Sequence, residues 1–179
     1  MKNKAFFFDR DGIVNKRIID AYVTKPEEFI LFDEIPKILK LIHSNSYKLI
    51  LVTNQQGVGK KLMTLEDLNL VHNYMQDLLI EKCGIAFEEI NFCTDLKETN
   101  SFRRKPNPGM ILESAEKNNI DLKKSFIIGD SESDILAGKL AGVKTIYISS
   151  EPINTMPDYK LEDISKLYEL IENLIKVNQ

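Results

Sequence analysis

Short apolar runs alternate along this chain with longer stretches in which apolar residues recur every three or four positions. The short runs are rich in β-branched and aromatic residues, and they lack the alternation of a half-exposed strand. Continuous runs of this kind are typical of parallel strands that are buried on both faces of a sheet. They predict five strands, over residues 5–9, 48–53, 89–93, 125–129 and 144–148.

The longer stretches predict helices. Between the second and third strands, an apolar stripe runs at helical spacing from Leu68 to Leu79. Thr64 and Asp67 precede this stripe and resemble a capping box, in which each residue bonds the backbone of the other. Residues 164–177 repeat the helical pattern near the end of the chain.

Proline and glycine mark the boundaries of two further helices. Pro108 suits a first turn, and Gly142 suits the cap of a helix that begins near Glu132. The alternation of strands and helices predicts an α/β fold, with a doubly wound, Rossmann-like parallel sheet, helices on both faces and right-handed crossovers. Because no linker divides the sequence, we expect a single domain over residues 1–179.

The composition narrows the class of protein. Hydrophobic residues at 43% and charged residues at 28% are typical of a globular chain with a core. The longest apolar runs are too short to cross a bilayer, and Cys83 and Cys93 form no Cys-x-x-Cys pair. A formal net charge of −3 argues against a surface built to follow a nucleic-acid backbone. We therefore expect a cytoplasmic monomer with no membrane or nucleic-acid partner.

Polar residues cluster where the predicted strands end. In an open α/β sheet, ligands bind outside the carboxyl ends of the strands, so these residues are candidates for a functional site. Four strand ends supply them: Asp9 and Asp11; Thr53, Asn54 and Gln55; Arg103, Arg104 and Lys105; Asp130 and Asp134. Each group alone is also ordinary turn, loop or helix-cap chemistry, and it is their shared position that favours a common site.

Phosphoryl transfer is a reaction that would use all of these groups together. A carboxylate that attacks a phosphate needs a divalent cation to offset the repulsion between them, and aspartate oxygens suit Mg²⁺. Charge on the transferring group requires a cation and hydrogen-bond donors, which a lysine, a threonine hydroxyl and loop amides supply. A second acid two residues after the nucleophile can protonate the leaving oxygen and then activate water.

The motifs DRDG, TNQ, Lys105 and GDSESD together resemble those of the haloacid dehalogenase superfamily of aspartate-nucleophile phosphatases, over residues 5–148. The segments TNQQGVGKK and RRKPNPGM are similar to the capless branch that contains heptose bisphosphate phosphatases and histidinol-phosphate phosphatases. The resemblance implies a capless fold of that superfamily and a magnesium-dependent phosphatase activity.

The resemblance also implies catalytic roles for four residues. Asp9 would be the nucleophile that forms an aspartyl-phosphate, and Asp11 would be the general acid and base. Thr53 and Lys105 would stabilise the phosphoryl group.

A magnesium site follows from the same resemblance. The ion would be held by the Asp9 carboxylate, the backbone carbonyl of Asp11 and the Asp130 carboxylate. Asp134 would support the site.

The resemblance further implies a set of substrate-binding residues: Asp20, Tyr22, Asn54, Gln55 and Arg104. The first two lie in residues 15–32, which match no regular element. A flap or substrate loop and a plain surface excursion both remain open for this segment.

The sequence departs from the branch at its zinc loop. Branch members carry Cys-x-His and later Cys-x-Cys before the Arg-Lys-Pro motif, whereas this chain keeps only Cys93, with Asp95, Ser101 and Arg103 at or near the other positions. Because one thiolate cannot form a tetrahedral structural site, we expect no structural Zn²⁺. Residues 94–103 also form a shorter loop than in the branch, which would reshape the wall that selects the substrate.

Other polar positions carry weaker signals. Ser131 stands where relatives often have lysine, and Lys60 where they often have arginine, so anion binding is expected to differ. His43 and His72 lack a metal-ligand spacing and are expected to be packed or surface residues on helices. Residues 57–60 can form either an anion nest or an ordinary strand-to-helix turn.

The leading hypothesis for the function is removal of the C7 phosphate from D-glycero-D-manno-heptose 1,7-bisphosphate, in the synthesis of nucleotide-activated heptose. Histidinol phosphate is the nearest alternative substrate. A nucleic-acid 3′-phosphatase uses similar motifs, although the negative charge of the chain argues against it. The non-enzymatic alternative is a phosphate-binding module without turnover, against which the joint presence of Asp9, Asp11, Lys105, Asp130 and Asp134 argues.

Overall fold

Within residues 2–177, which the computed structural model describes, six strands form one parallel sheet. They are β1 (Lys4–Phe8), β2 (Tyr47–Asn54), β3 (Glu89–Cys93), β4 (Phe126–Gly129), β5 (Lys144–Ile148) and β6 (Tyr159–Leu161). Their order across the sheet is β3-β2-β1-β4-β5-β6. The chain moves outward from β1 on one side and then returns to β4 on the other, so the winding reverses between β1 and β4. Ligand sites of open α/β sheets lie at such a reversal.

Helices connect the strands. They are α1 (Ile35–Ser44), α2 (Gln56–Gly59), α3 (Leu65–Cys83), α4 (Gly109–Lys117), α5 (Glu132–Ala141) and α6 (Leu167–Val177). Short 3₁₀ helices span Pro26–Glu28, Lys97–Thr99, Leu122–Lys124 and Ile164–Lys166. Across residues 2–177, no helix combines the length and the apolar character needed to span a bilayer.

The first strand shows why the sheet is covered on both faces. Phe6 and Phe8 are fully buried in a cluster with side chains of α1, α3 and α6, and Ala5 and Phe7 are fully buried in a second cluster with side chains of α4 and α5. Successive residues of a strand point to opposite faces, so a continuous apolar run supplies two cores at once. The predicted doubly wound α/β fold is confirmed.

The predicted elements agree closely with the structure. All five predicted strands are present, and the Thr64–Asp67 capping box forms at the start of α3. Gly142 caps α5 in the left-handed conformation, with φ of 84°. The sequence analysis missed β6, because this three-residue edge strand pairs only with β5 and is not buried, and therefore has no apolar run to reveal it.

Residues 15–32 fold back on themselves. The Lys16 amide donates to the Ile30 carbonyl over 2.8 Å, and the Phe32 amide donates to the Val14 carbonyl over 3.1 Å. These bonds fasten both ends of the segment beside β1 and hold its middle above the carboxyl ends of the strands.

Candidate active site

A cavity of about 580 Å³ opens at the carboxyl ends of β1, β2 and β4, where the winding of the sheet reverses. Eight residues predicted from the sequence line it: Asp9, Asp11, Asp20, Tyr22, Thr53, Asn54, Lys105 and Asp134. Arg17, Ile18, Ala21 and Val23 also line it, so the part of the unassigned segment within residues 17–23 forms a wall of this cavity. The predicted residues Gln55, Arg104 and Asp130 are absent from the lining described for this cavity.

Lys105 joins the ends of three elements at the base of the cavity. Its ammonium group lies 2.8 Å from Asp9 Oδ1 and 2.6 Å from Asp134 Oδ1, and it donates to the Val52 carbonyl over 2.7 Å. Burial by itself would lower the pKa of Lys105, but the carboxylates of Asp134 and Asp9 raise it above its usual value. Lys105 is therefore a permanent cation beside Asp9.

Three carboxylates meet at the same place. One oxygen from each of Asp9, Asp130 and Asp134 lies within 4.8 Å of the others. Asp134 already has partners at both oxygens, because Lys105 lies beside Oδ1 and the Ser131 hydroxyl donates to Oδ2 over 2.6 Å. Asp134 thus suits the supporting position predicted for it, and Asp9 and Asp130 suit the position of carboxylate ligands.

The charge of this carboxylate cluster fits a hard divalent cation. Burial, together with the charges of Asp9 and Asp134, raises the pKa of Asp130 to about 8. Burial is the larger cause of this shift, and the neighbouring carboxylates add to it. An all-oxygen donor set with excess negative charge is the kind that binds Mg²⁺.

Gly12 allows the loop after β1 to approach Asp130. Its φ of 95° lies in the left-handed region, and a Cβ atom at this position would overlap the Asp130 carboxylate. Glycine is the residue that meets both conditions. The DRDG motif therefore needs its glycine for contact with the acid that follows β4, as well as for the turn.

Replacing Gly12 by alanine is expected to destabilise the protein and to displace Asp130. The steric overlap should cost about 1–3 kcal/mol beyond the strain of the positive φ. Gly84→Ala is the matched control, because Gly84 also has a positive φ, 72°, but no atom lies within 4 Å of its added Cβ. Urea unfolding of both variants measures the difference, and equal losses of unfolding free energy would contradict the proposed contact.

The Asp11 carboxylate is held by side-chain donors on several sides. Arg10 Nη2 donates to its oxygens over 3.0 and 2.9 Å, Asn15 Nδ2 over 2.9 Å and Gln55 Nε2 over 3.0 Å. Burial alone would raise the pKa of Asp11, but Arg10, Asn15 and Gln55 together hold it below its ordinary value. In the free protein Asp11 is an ionised, oriented carboxylate.

Gln55 lies outside the cavity lining described above. It was expected to line the substrate pocket, but it is fully buried, and its amide donates to Asp11 Oδ2 and to Thr53 Oγ1, each over 3.0 Å. Its contacts make it a support for two residues of the site. Asn54 does line the cavity, while its side-chain amide donates to and accepts from the backbone of Lys105.

Arg104, which was expected to contact the substrate, also lies outside that lining. It donates to Gln56 Oε1 over 3.2 Å and to the Asp95 carbonyl over 3.1 Å. Gln56 does line the cavity. In this structure Arg104 therefore orients a lining residue and does not face the cavity itself.

The buried His72 contacts Arg10, the residue between Asp9 and Asp11 in the sequence. The Arg10 side chain is fully buried, and its Nη1 lies 3.3 Å from His72 Nε2. Burial and the charge of Arg10 lower the pKa of His72 to about 3, so the ring is neutral and its Nε2 accepts from Arg10. His72 is packed, as expected, and His43 is exposed on α1.

The burial of His72 predicts a specific loss of stability in acid. The histidine pKa is about 6.5 in an unfolded chain. Between that value and about 3, the unfolded chain binds a proton that the folded protein does not, so the free energy of unfolding falls as the pH falls. His72→Gln keeps an acceptor for Arg10 and removes this titration.

Urea unfolding at pH 6.5 and pH 4.5 tests this expectation. Wild type should lose about 2 kcal/mol more than His72→Gln over this interval. Carboxyl groups titrate in both proteins, so their contribution to the pH dependence of the unfolding free energy cancels in the difference between wild type and variant. Parallel pH profiles would contradict a buried neutral histidine.

Two cations on the cavity wall were not among the predicted site residues. Arg17 and Lys60 both line the cavity, and Lys60 Nζ lies 5.8 Å from the centre of the Tyr22 ring. Residues 57–59 lie in the short helix α2, and Lys60 is the residue that caps its C-terminus. The one sequence feature that could have indicated Arg17 is its place in residues 15–32, a few residues after Asp11.

The region of the missing zinc ligands is a small polar cluster. Cys93 Sγ lies 3.5 Å from Asp95 Oδ2 and 4.0 Å from Ser101 Oγ. Burial raises the pKa of the Cys93 thiol, which favours its protonated form. Cys93 is the one cysteine in this cluster, whereas a structural zinc site needs four ligands, usually several of them cysteines.

Comparison with known sequences extends the similarity beyond the motifs. A family model described as HAD-hydrolase-like matches residues 102–165. The D-glycero-β-D-manno-heptose-1,7-bisphosphate 7-phosphatase of Helicobacter pylori is 39% identical over 172 residues, covering 95% of this chain and 98% of that protein. The D-glycero-α-D-manno-heptose-1,7-bisphosphate 7-phosphatase of Burkholderia mallei is 37% identical over 152 residues, covering 81% of this chain and 79% of that protein.

Solved structures share the whole architecture. The crystal structure of D,D-heptose 1,7-bisphosphate phosphatase from B. bronchiseptica, complexed with magnesium and phosphate, superimposes with a TM-score of 0.83 and 26% identity. The match covers 95% of this chain and 98% of that one. A HAD-like phosphatase from Mesorhizobium loti gives a TM-score of 0.85 with 26% identity, over 99% of this chain and 88% of that one.

Proposed function

This chain belongs to the D,D-heptose 1,7-bisphosphate phosphatase family of haloacid dehalogenase-like hydrolases, and from that premise we propose that it hydrolyses the C7 phosphate of D-glycero-D-manno-heptose 1,7-bisphosphate. The observation that carries the substrate assignment is the 39% identity over 98% of the length of a relative with that named activity. The geometry of the cavity supports the reaction type independently of the relatives.

We assign the chemical steps to Asp9 and Asp11. The Asp9 carboxylate attacks phosphorus, the bond between phosphorus and the C7 oxygen breaks, and Asp11 gives a proton to that oxygen. Water then attacks the phosphorus carried on Asp9, Asp11 takes a proton from the water, and phosphate leaves. Lys105, fixed 2.8 Å from Asp9 Oδ1, balances charge on the phosphoryl group, and Thr53 donates to it.

Asp11 needs a proton to act first as an acid, although Arg10 keeps it ionised in the free protein. We infer that the substrate supplies the change, because a phosphate beside Asp11 raises the pKa of that carboxyl group. Arg10, Asn15 and Gln55 keep the carboxyl group oriented toward the cavity while the proton is transferred. The same contacts restore the ionised base for the water step.

Asp9, Asp130 and the Asp11 backbone carbonyl are the groups that would hold Mg²⁺. When bound, the ion supplies positive charge that offsets the repulsion between the Asp9 carboxylate and the phosphate. Asp134 supports this arrangement by fixing Lys105 and the start of α5.

The cavity wall favours a substrate with two anionic groups. Arg17 and Lys60 place two cations along the cavity in addition to the buried Lys105. A bisphosphate can use them, whereas histidinol phosphate carries a protonated amine and an imidazole in place of a second phosphate and offers these cations no second anion. Asp20 and Tyr22 offer hydrogen-bonding groups on the same wall for sugar hydroxyls. We propose that the protein acts as a single-domain cytoplasmic monomer, without structural Zn²⁺, in nucleotide-activated heptose synthesis.

The deciding experiment measures magnesium-dependent phosphate release from both anomers of D-glycero-D-manno-heptose 1,7-bisphosphate. Histidinol phosphate and a 3′-phosphorylated oligonucleotide serve as competing substrates, and zinc is assayed on the same sample. We expect the heptose bisphosphate to have the highest kcat/KM and the product to be heptose 1-phosphate. A higher value for another substrate would overturn the substrate assignment. No release from any of them, with magnesium bound and the protein folded, would favour a binding module.

A further inference from the structure

Arg17 reaches from the cavity wall into the carboxylate cluster. Its Nη2 lies 2.8 Å from Asp130 Oδ1 and 3.4 Å from the backbone carbonyl oxygen of Asp11. The Arg17 side chain is 50% exposed, whereas that of Asp130 is 14% exposed. A long side chain anchored on a loop thus brings its charge to a mostly buried acid.

The two acceptors of Arg17 are two of the three groups assigned to Mg²⁺. A metal ion on the Asp130 carboxylate and the Asp11 carbonyl would lie close to the Arg17 guanidinium, which contacts both of these groups. Electrostatic repulsion between the two cations disfavours that arrangement. Arg17 in its present position therefore opposes the binding of a metal ion to these two groups.

The positions of the two cations in the cluster indicate which of them can be exchanged. Three carboxylates, from Asp9, Asp130 and Asp134, face the two cations Lys105 and Arg17. Lys105 is buried between Asp9 and Asp134, but Arg17 is half exposed and can leave by rotating about its side-chain bonds. Arg17 is thus the exchangeable counter-ion of the cluster.

We propose that Arg17 competes with Mg²⁺ for the Asp11 and Asp130 oxygens and, once displaced by the ion, binds the second phosphate of the substrate from the cavity wall. This inference rests on the proposed magnesium dependence and on the proposed bisphosphate substrate. Arg17 already lines the cavity, as Lys60 does, so a change of rotamer would turn the Arg17 guanidinium from Asp130 toward the cavity interior. A guanidinium binds a phosphate through paired hydrogen bonds, which suits it to this second position.

Such an exchange would link the metal site to substrate recognition. Without Mg²⁺, Arg17 is held on Asp130, and the cavity wall lacks one of its two phosphate-binding cations. With Mg²⁺ bound, that cation becomes available. The substrate should therefore bind more tightly to the metal-loaded protein for a reason additional to the direct attraction of its phosphate to the ion.

Metal affinity tests the first half of the proposal without any substrate. Isothermal titration calorimetry of metal-stripped protein with MgCl₂ compares wild type, Arg17→Gln and Lys60→Gln. We expect Arg17→Gln to bind Mg²⁺ roughly tenfold more tightly than wild type, which corresponds to about 1.4 kcal/mol. Lys60→Gln is the matched control, because it removes a cavity cation that has no described contact with the carboxylate cluster.

Each outcome of the titration has a defined meaning. Equal or weaker binding by Arg17→Gln than by wild type would overturn the competition. Tighter binding by Arg17→Gln alone supports it. Equal gains in both variants would show a general effect of cavity charge and would also overturn it. Absence of binding in all three proteins would overturn both this inference and the proposed magnesium dependence.

Steady-state kinetics at saturating Mg²⁺ test the second half. Heptose 1,7-bisphosphate and heptose 7-phosphate differ only in the second phosphate. Arg17→Gln should raise KM for the bisphosphate about tenfold, with little change in kcat and little change in KM for the monophosphate. Equal changes for the two substrates would overturn the assignment of Arg17 to the second phosphate. If neither substrate turns over in wild type, the proposed function fails, while the calorimetric result still decides the competition.

Discussion

Asp9→Asn is expected to lose phosphatase turnover by a factor on the order of 10⁴ or more, because an amide cannot serve as the nucleophile. Asp9 is nearly fully buried at the end of β1, in contact with Lys105. Asparagine has almost the same shape, so the site should keep its geometry. Magnesium-dependent phosphate release, measured on wild type and variant with the same substrate, gives the ratio directly.

The protein should remain folded after this substitution. Lys105 keeps its contacts with Asp134 and with the Val52 carbonyl, and one source of repulsion between buried carboxylates disappears. Circular dichroism and urea unfolding check the fold. Asp20→Asn is the matched control, because it removes a carboxylate from the cavity wall without touching Lys105, and we expect it to change KM more than kcat. Wild-type turnover by folded Asp9→Asn would refute the aspartyl-phosphate mechanism.

Lys105→Met should damage activity and stability together. Lys105 is 3% exposed and lies between the carboxylates of Asp9 and Asp134. Removing one partner of a buried ion pair leaves uncompensated charge and typically destabilises a protein by about 3–5 kcal/mol. Loss of a cation aimed at the phosphoryl group should also lower kcat by roughly 10²–10³-fold.

Urea unfolding at pH 7 and at a lower pH separates the causes of this destabilisation. Without Lys105, the buried carboxylates have raised pKa values, so protonating them at lower pH should recover part of the lost stability. Lys60→Met is the control, because Lys60 is an exposed cation of the same cavity, and its unfolding free energy should change by less than about 1 kcal/mol. A Lys105→Met protein as stable as this control would contradict the buried charge cluster.

Sequence alone determined the fold and the chemical centre of this protein. Continuous apolar runs such as 5–8, alternating with stretches of helical period, favour strands that are buried between two helical layers. Because parallel strands end at one edge, residues that follow separate strands must meet there, and Asp9, Lys105 and Asp130 do so. Position along the chain made these residues candidates, and the resemblance of their motifs to a known superfamily implied their roles.

Tertiary structure decided which way the remaining side chains face. Gln55 and Arg104 lie in the predicted motifs, yet both turn from the cavity, because Asp11 and Gln56 offer them hydrogen-bond partners that sequence spacing does not reveal. Arg17 lies in a segment without a periodic pattern, and only the folding back of residues 15–32 brings it 2.8 Å from Asp130. Local sequence patterns specify the strands and helices and which residues follow each strand. The hydrogen-bond and ion-pair partners of a side chain, when they are far apart in sequence, depend on how the loops pack.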